Sequence, residues 1–282
     1  MKYIYPSLSE LDLGFVRLGG AGLANCMFVA CRAYSYSKKY HAEMLRPTWE
    51  KLSLGPFLRH EKDKRFYQGL FNRSGITGLK KIGLILSRPF AEESLHAFEQ
   101  AEKGVLKVSG LAGYFRDLDY QDSKEYLSSV IDESAYAGLK EEDFSGTVAV
   151  HIRLGDYPEA RRAPVSWYKK QVERVLALND SVRVSVFSDG TDAELEEVLS
   201  CPNTRRVFYG NALADIIAIG KSRLVIASDS TFSAWGAFLG QIPVIFPKRH
   251  FPPVFDTERN MEFILGEDME LPDPVKTLII RL

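Results

Sequence analysis

Short runs of apolar, mostly β-branched residues alternate with amphipathic segments along the second half of the chain, and this alternation limits the fold more than any other feature. The runs predicted to be strands are residues 147–152, 182–187, 206–209, 224–227 and 244–246. Helices are predicted between them, near residues 166–178, 192–199, 213–219 and 232–239. Alternating strands and helices fold into a parallel sheet covered by helices on both faces. The sequence therefore predicts an α/β fold for this half.

The first half of the chain has a weaker pattern, with one clear βα unit near its start. Residues 15–18 (FVRL) are predicted to form a strand and residues 23–39 a helix, with a glycine-rich turn between them. Residues 47–143 show no diagnostic periodicity. Two α/β domains with a cleft between them are the architecture that these patterns favour.

The domain boundary is predicted near residue 145, where a charged run ends and the strand at Thr147 begins. This gives one domain of residues 1–145 and a second of residues 146–282. The last helix of the chain is a candidate to pack back on the N-terminal domain.

Composition excludes several classes of protein. The 282 residues carry a formal net charge of −1, so the chain lacks the broad basic field that binds nucleic acid. Cys26, Cys31 and Cys201 are too few and too unevenly spaced for a disulfide framework or a four-ligand zinc site. The start lacks the apolar core of a signal peptide, and no stretch reaches the about 20 apolar residues that span a bilayer. We therefore expect a cytoplasmic protein of bacterial origin without a transmembrane segment, with peripheral membrane contact left open.

The first candidate for chemistry is residues 151–157 (HIRLGDY), at the carboxyl end of a predicted strand. Open parallel sheets bind their ligands at that edge. In a strand His151 and Arg153 point the same way, and a guanidinium group can grip a phosphate through paired hydrogen bonds. Gly155 lets the backbone turn sharply or approach a ligand closely. An exposed strand end with an Arg–Asp surface pair explains the same residues equally well.

The second candidate is residues 228–233 (SDSTFS), between a predicted strand and an apolar helix. Hydroxyl groups and free N–H groups at a helix N-terminus form an anion site, which the helix dipole favours. Simple N-capping by Ser230 or Thr231 is the commoner reason for such residues there.

The third candidate, residues 19–25 (GGAGLAN), is a glycine-rich turn from strand to helix. It does not fit the dinucleotide fingerprint G-x-G-x-x-G, and it could simply be a tight turn that needs glycine dihedral angles. Such a loop would also let a backbone approach a pyrophosphate. Among the remaining residues, the five histidines lack metal-ligand spacing, and no metal site is predicted.

Together and in this order, the three segments resemble the inverting fucosyltransferases, and most of all the α-1,2-fucosyltransferases of glycosyltransferase family 11. That family shows a G-x-G-L-G-N-Q-L-F-like loop, an H-x-R-R-G-D-Y strand end and an S-N-S-T-F-S-W-W-like segment. Here these read GAGLANCMF at residues 20–28, HIRLGDY at residues 151–157 and SDSTFSAW at residues 228–235. The chain departs from the pattern at Leu154, which replaces the second arginine, and at Asp229, which stands where asparagine is usual.

The resemblance implies a GT-B-like fold, in which two Rossmann-like domains face a cleft. Residues 1–145 would form the domain on the acceptor side, and residues 146–282 would form the domain that binds the donor. It implies inverting transfer of L-fucose from GDP-β-L-fucose to a hydroxyl of a glycan acceptor, α-1,2 to galactose, with no metal or other cofactor. The donor-binding residues carried over from the family are Gly22, Asn25, His151, Arg153, Asp215, Ser230, Thr231 and Phe232. Among these, His151 and Asp215 would face the guanosine, although Asp215 could equally cap a helix.

For catalysis, Arg153 and the helix start at Thr231 would stabilise the charge that develops on the β-phosphate. Asp156 is the first candidate for the general base, ahead of Glu159, although it could instead brace its loop. Two alternatives stay open, a GT-B transferase with another nucleotide sugar and a nucleotide-sugar or glycan-binding protein without turnover. The binding protein without turnover is suggested by Leu154, which replaces the second arginine of the family motif.

Overall fold

A computed structural model describes residues 1–52, 64–155 and 157–282 of the chain. Contacts divide it into two compact units, Met1–Ala135 and Tyr136–Leu282. The domain limits predicted near residue 145 stay a prediction. Within the described residues, no helix is both long enough and apolar enough to cross a membrane.

The first unit contains short strands and helices around α1. Its described strands are β1 (Lys2–Pro6), β2 (Leu11–Asp12), β3 (Arg17–Leu18), β4 (Glu43–Met44), β5 (Lys51–Leu52) and β6 (Gly104–Val108). Its described helices are α1 (Leu23–Lys39), α2 (Gly78–Ile85), α3 (Leu95–Gln100) and α4 (Tyr120–Val130). A parallel sheet has the order β4-β1-β6, and a smaller sheet has the order β2-β3-β5. The predicted helix at residues 23–39 is confirmed, whereas the predicted strand before it is only two residues long.

The second unit is built on one six-stranded parallel sheet. Its strands are β7 (Thr147–Ile152), β8 (Arg183–Ser188), β9 (Thr204–Arg206), β10 (Leu224–Ile226), β11 (Val244–Phe246) and β12 (Glu262–Ile264). Its described helices are α5 (Val165–Leu178), α6 (Glu196–Leu199), α7 (Ala212–Lys221), α8 (Thr231–Gly240) and α9 (Asp273–Ile280). The predicted βα alternation is confirmed. β9 lies earlier in the chain than predicted, and α6 is shorter because its first residues form turns.

The strand order of this sheet, β9-β8-β7-β10-β11-β12, is that of a doubly wound Rossmann fold. The chain starts at the central strand β7, builds outward to β9, and then returns to add β10, β11 and β12 on the other side. The direction of growth therefore reverses between β7 and β10. In open parallel sheets, a ligand crevice forms at this reversal, outside the carboxyl ends of the strands.

Helices pack on this sheet through a buried apolar cluster. Val150 and Ile226 belong to a buried apolar cluster that also takes in Val172 of α5 and Ile279 of α9. Fully burying a side chain of this size contributes about 1.5–3 kcal/mol. The last helix thus packs on α5 within its own unit.

Helices α7 and α8 pack closely because glycine residues face each other at their contact. A β-carbon on Gly240 would overlap the carbonyl group of Gly220, and one on Gly236 would overlap Ile219. The absence of side chains lets the two backbones touch. This contact sets the position of α8, whose first residues lie at the crevice.

Candidate functional site

The carboxyl ends of β7 and β10 lie side by side because Val150 is paired with Ile226. This register brings the first two predicted motifs together. The Nδ1 atom of His151 lies 2.9 Å from Oγ of Ser228 and 3.0 Å from Oγ of Ser233. The imidazole ring also stacks on Phe232, with ring centroids 5.0 Å apart. His151 therefore joins the end of β7 to the start of α8.

His151 is a neutral ring in this environment. Burial, and next the positive charge of Arg153, lower the pKa of His151 to about 3. Burial in a low-dielectric surrounding disfavours the charged form of an imidazole. At neutral pH the ring can exchange hydrogen bonds with the two serine hydroxyls, but it adds no positive charge to the crevice.

Arg153, directly after β7, is held by an aspartate from the neighbouring strand. Its Nη1 lies 2.7 Å from Oδ2 of Asp189, and both side chains are partly exposed. The other oxygen of Asp189 accepts the N–H groups of Leu154, at 2.8 Å, and Gly155, at 3.2 Å. Asp189 thereby fixes both the guanidinium group and the turn that follows it.

Asp189 was not among the predicted site residues. It follows β8, whose last residue Ser188 is paired with Ile152, so it reaches the same edge as Arg153. Its position directly after a predicted strand was the one feature of the sequence that could have indicated a role at this edge. A β-carbon on Gly155 would lie 2.6 Å from Oδ2 of Asp189, so the close approach anticipated for this glycine is to a carboxylate.

Leu154 is buried in the apolar cluster of the unit, with 7% of its surface exposed. Its position therefore adds no charged group to the crevice. Asp156, predicted as the general base, lies outside the described residues. The loop after it is tied to the edge, since the hydroxyl of Tyr157 donates to the carbonyl of Asp229 and Nε of Arg162 donates to the carbonyl of Tyr157.

The start of α8 combines a helix cap with an open helix N-terminus. Ser230 is the N-cap residue, and its Oγ accepts the N–H of Phe232 at 3.3 Å. The N-capping alternative is therefore confirmed for Ser230. Capping uses one N–H group, so it does not exclude an anion at this helix start. Ser230, Thr231 and Phe232 are all partly exposed there.

Asp215 lies in the first turn of α7 with 8% of its surface exposed. Its Oδ1 accepts the N–H of Tyr209 at 2.8 Å, which closes the turn before the helix. Asn211 is the N-cap residue of the same helix and accepts the N–H of Ala214. The contact with Tyr209 is of the capping type, and the guanosine contact of Asp215 stays a prediction.

Asp229 and His250 form a further pair at the carboxyl ends of β10 and β11. Oδ1 of Asp229 accepts the backbone N–H of His250 at 3.0 Å and lies 2.6 Å from Nδ1 of its ring. The sequence analysis missed this pairing. As with Asp189, the sequence offered one indication of this pair, which is that an ionisable side chain follows shortly after a predicted strand.

The glycine-rich loop of the first unit, residues 19–22, is exposed between β3 and α1. Its carbonyl groups point inward. The buried guanidinium of Arg17 donates to the carbonyls of Gly19, at 2.7 Å, and Ala21, at 3.2 Å. Lys51 Nζ donates to the carbonyl of Gly20 at 3.0 Å.

Because the C=O and N–H of a trans peptide group point in opposite directions, the N–H groups of the next residues face outward. This is the arrangement that backbone recognition of an anion needs. Gly22 is the N-cap residue of α1 and Asn25 lies in its first turn, partly exposed. The donor contacts predicted for these two residues stay predictions.

Residues 111–245 match the family model described as glycosyl transferase family 11. The predicted resemblance to this family is confirmed. The family 11 segment contains both motifs that meet at the crevice, His151 to Tyr157 and Ser228 to Ser233. The glycine-rich loop lies outside the segment. A search of curated protein sequences gives no match.

Solved structures similar to this chain are also glycosyltransferases. NodZ α-1,6-fucosyltransferase soaked with GDP-fucose is 13% identical, with a TM-score of 0.51 over 86% of this chain and 93% of that chain. Fucosyltransferase NodZ from Bradyrhizobium is 13% identical, with a TM-score of 0.51 over 86% and 94%. POFUT1 in complex with GDP-fucose is 11% identical, with a TM-score of 0.46 over 87% and 96%. The likeness to NodZ establishes the fold, so the predicted α/β, GT-B-like class is confirmed.

Proposed function

We propose that this protein is an inverting, metal-independent fucosyltransferase. It transfers L-fucose from GDP-β-L-fucose to a hydroxyl group of a glycan acceptor, with an α-1,2 linkage to galactose. The family 11 segment supports glycosyl transfer. The fold shared with NodZ, which was studied with GDP-fucose, supports the choice of donor.

One observation carries the proposal: the end of β7, which carries Arg153, lies next to the start of α8 at the strand-order reversal, where His151 contacts Ser228 and Ser233. A nucleoside diphosphate needs a cation and hydrogen-bond donors on one side of its phosphates. Arg153 supplies the cation, and its planar guanidinium group can bind a phosphate through paired hydrogen bonds. The helix N-terminus adds N–H groups and a positive dipole end.

In the proposed reaction, the acceptor oxygen forms a bond to the anomeric carbon of fucose as the bond from that carbon to the β-phosphate oxygen breaks. The electron pair of the broken bond leaves with GDP. The acceptor hydroxyl loses its proton to a base, for which Asp156 is the sequence-based candidate. Attack from the face opposite the leaving group inverts the anomeric configuration.

The crevice residues act on the leaving group in this scheme. Negative charge grows on the β-phosphate in the transition state, so Arg153 and the start of α8 stabilise that state more than the bound donor. Asp189 is a positioning residue, since it acts through Arg153. The neutral ring of His151 is suited to the uncharged guanosine part.

The test is a thermal-shift series with GDP, UDP, CMP and GDP-fucose, each with and without magnesium. A nucleotide at about 100 times its Kd stabilises the folded protein by about 2.7 kcal/mol, enough for a measurable rise in Tm. We expect GDP and GDP-fucose to raise Tm equally with and without magnesium. A response to UDP or CMP instead would keep the fold class and reject the donor.

Transfer itself is tested by incubating the protein with GDP-fucose and a galactose-terminated oligosaccharide. We expect a fucosylated product whose linkage analysis gives α-1,2. Binding of GDP-fucose without any product on a panel of acceptors would favour a binding protein without turnover. A different linkage would retain the activity and correct the acceptor position.

A further inference from the structure

The Asp229–His250 pair lies beside the proposed phosphate site but has no part in the function proposed above. Asp229 directly precedes the N-cap residue of α8, and His250 follows β11, the strand next to β10. The carboxylate is almost fully buried, with 2% of its side chain exposed, whereas the imidazole is 38% exposed. The pair therefore presents a ring to solvent at the edge that carries Arg153.

The contact with Asp229 fixes which nitrogen of His250 carries a proton. An ionised carboxylate only accepts hydrogen bonds, so the short contact of 2.6 Å places a proton on Nδ1. Among the residues that the structure describes, none makes a hydrogen bond to Nε2 of this ring. When the ring is charged, Nε2 offers an N–H group to a ligand at the edge.

The segment that holds His250 is anchored on its other side as well. Nη1 of Arg249 lies 2.6 Å from Oε1 of Glu262, and both side chains are largely buried. The second oxygen of Glu262 accepts the N–H of Val254 at 2.7 Å. Together with the N–H of His250 bound to Asp229, these contacts hold the imidazole in one place.

Charge at the edge gives the pair a function. Arg153 is offset by Asp189, and Asp229 adds a second carboxylate next to the helix start. Arg162, which donates to the carbonyls of Gly155 and Tyr157, brings the formal charge of these four groups to zero. A positively charged His250 would give this edge a net positive charge, which favours a diphosphate.

We propose that His250, held by Asp229, is a further donor-binding residue that donates a hydrogen bond from Nε2 to the diphosphate. The proposal rests on the proposed function, because it takes a nucleoside diphosphate as the ligand of the crevice. His250 contacts the phosphate groups and Asp229 positions its ring. Guanosine, which lacks phosphate groups, does not reach His250.

The test compares the binding of GDP and guanosine by calorimetry in the wild-type protein and in His250→Gln. A hydrogen bond to a charged group is worth about 1.5–3 kcal/mol, so we expect the Kd for GDP to rise by roughly tenfold to a hundredfold. The Kd for guanosine should stay within about twofold. Equal Tm values without ligand confirm that the variant is folded.

Lys248→Gln is the matched control, since it removes one positive charge from the same segment. Lys248 is exposed and its Nζ donates to the carbonyl of Ala160 at 2.8 Å. We expect this variant to bind GDP within about twofold of wild type, because surface charges act weakly through water. An equal loss of GDP affinity in both variants would overturn the proposal. It would show that His250 acts only through the general positive charge of the segment and does not contact the phosphate groups.

Three further outcomes distinguish a failure of this proposal from a failure of the function on which it rests. If wild-type protein binds GDP and His250→Gln binds it equally well, the assignment of His250 is wrong and the proposed donor stands. If GDP and guanosine weaken by the same factor in His250→Gln, the contact is not with phosphate and the assignment is again wrong. If wild-type protein does not bind GDP at all, both proposals fall.

Discussion

The crevice of the second unit and the glycine-rich loop of the first unit both offer N–H groups at the start of a helix, but they are built differently. In the crevice, side chains at the ends of adjacent strands meet and pair, as Arg153 does with Asp189. In the loop, buried cations pull the carbonyls inward and leave the backbone N–H groups facing out. The comparison shows that an anion-binding edge can be set by paired strand ends or by charges beneath a loop.

The difference has a consequence for substitution. The side chains of Arg153 and Asp189 at the crevice are partly exposed, so changing one of them should alter binding or catalysis more than stability. The cation beneath the loop is fully buried, so changing it should unfold the local structure. The predictions below separate these two cases, from the largest expected effect to the smallest.

Arg17→Ala should give the largest loss of stability. The substitution leaves a cavity and removes the donors to the carbonyls of Gly19 and Ala21. We expect the free energy of unfolding to fall by about 3–5 kcal/mol. Chemical denaturation measures the change, and Arg116→Ala is the control, because the side chain of Arg116 is 73% exposed. Equal stabilities would show that the loop does not depend on the buried cation.

Arg153→Ala should reduce catalysis without unfolding the protein. Losing one donor that faces transition-state charge costs about 10²–10³ in kcat, or about 2.7–4 kcal/mol. Steady-state transfer assays measure the effect. Arg223→Ala is the matched control. Arg223 is exposed and directly precedes β10, so it lies at the amino ends of the strands, away from the crevice at their carboxyl ends. Unchanged transfer by Arg153→Ala would remove this residue from the active site.

Gly20→Ala should cost about 2 kcal/mol of stability, because its backbone and its surroundings both require glycine. Its φ is +79°, and an added β-carbon would lie 2.6 Å from the carbonyl oxygen of Leu8. Gly19→Ala is the control, since φ is +63° there but no atom lies within 4 Å of the added carbon. If Gly19→Ala loses less stability than Gly20→Ala, the difference between the two losses measures the cost of close packing at Gly20. Equal losses would show that the positive φ accounts for the whole effect.

His151 should make stability fall in mild acid. Its pKa is lowered in the folded protein, so between about pH 6 and pH 4 the unfolded chain binds a proton that the folded chain does not. The free energy of unfolding then falls by about 1.4 kcal/mol for each pH unit. Denaturation curves across this range should show a smaller slope for His151→Gln than for wild type. An exposed residue, His96, supplies the control variant His96→Gln, which should keep the wild-type slope.

Most of the second unit could be predicted from its sequence. The strands predicted at residues 147–152 and 244–246 match β7 and β11 residue for residue. Such runs are mostly apolar because both faces of a parallel sheet are covered. β1 was missed because its sequence KYIYP mixes polar and apolar residues and ends in proline. β12 was missed because its sequence EFI begins with a charged residue and none of its side chains is fully buried, so it lacks the apolar run of β11.

The candidate site was predicted in part, for the same local reason. Arg153 and Ser230 follow predicted strands within a few residues, so their place at the sheet edge could be inferred from the alternation alone. The N-capping role of Ser230 was also foreseen as an alternative. The role of Asp156 stays a prediction, since that residue lies outside the described part of the chain.

The sequence by itself determined most of the strands and helices of the second unit, because the burial pattern of each segment is local. The tertiary structure alone decided which strand ends become neighbours. Asp189 contacts Arg153 across 36 positions of sequence, and His250 contacts Asp229 across 21. Those partners are set by the strand order of the sheet, which depends on how helices pack on its two faces. A residue's own surroundings in the sequence carry no record of that packing.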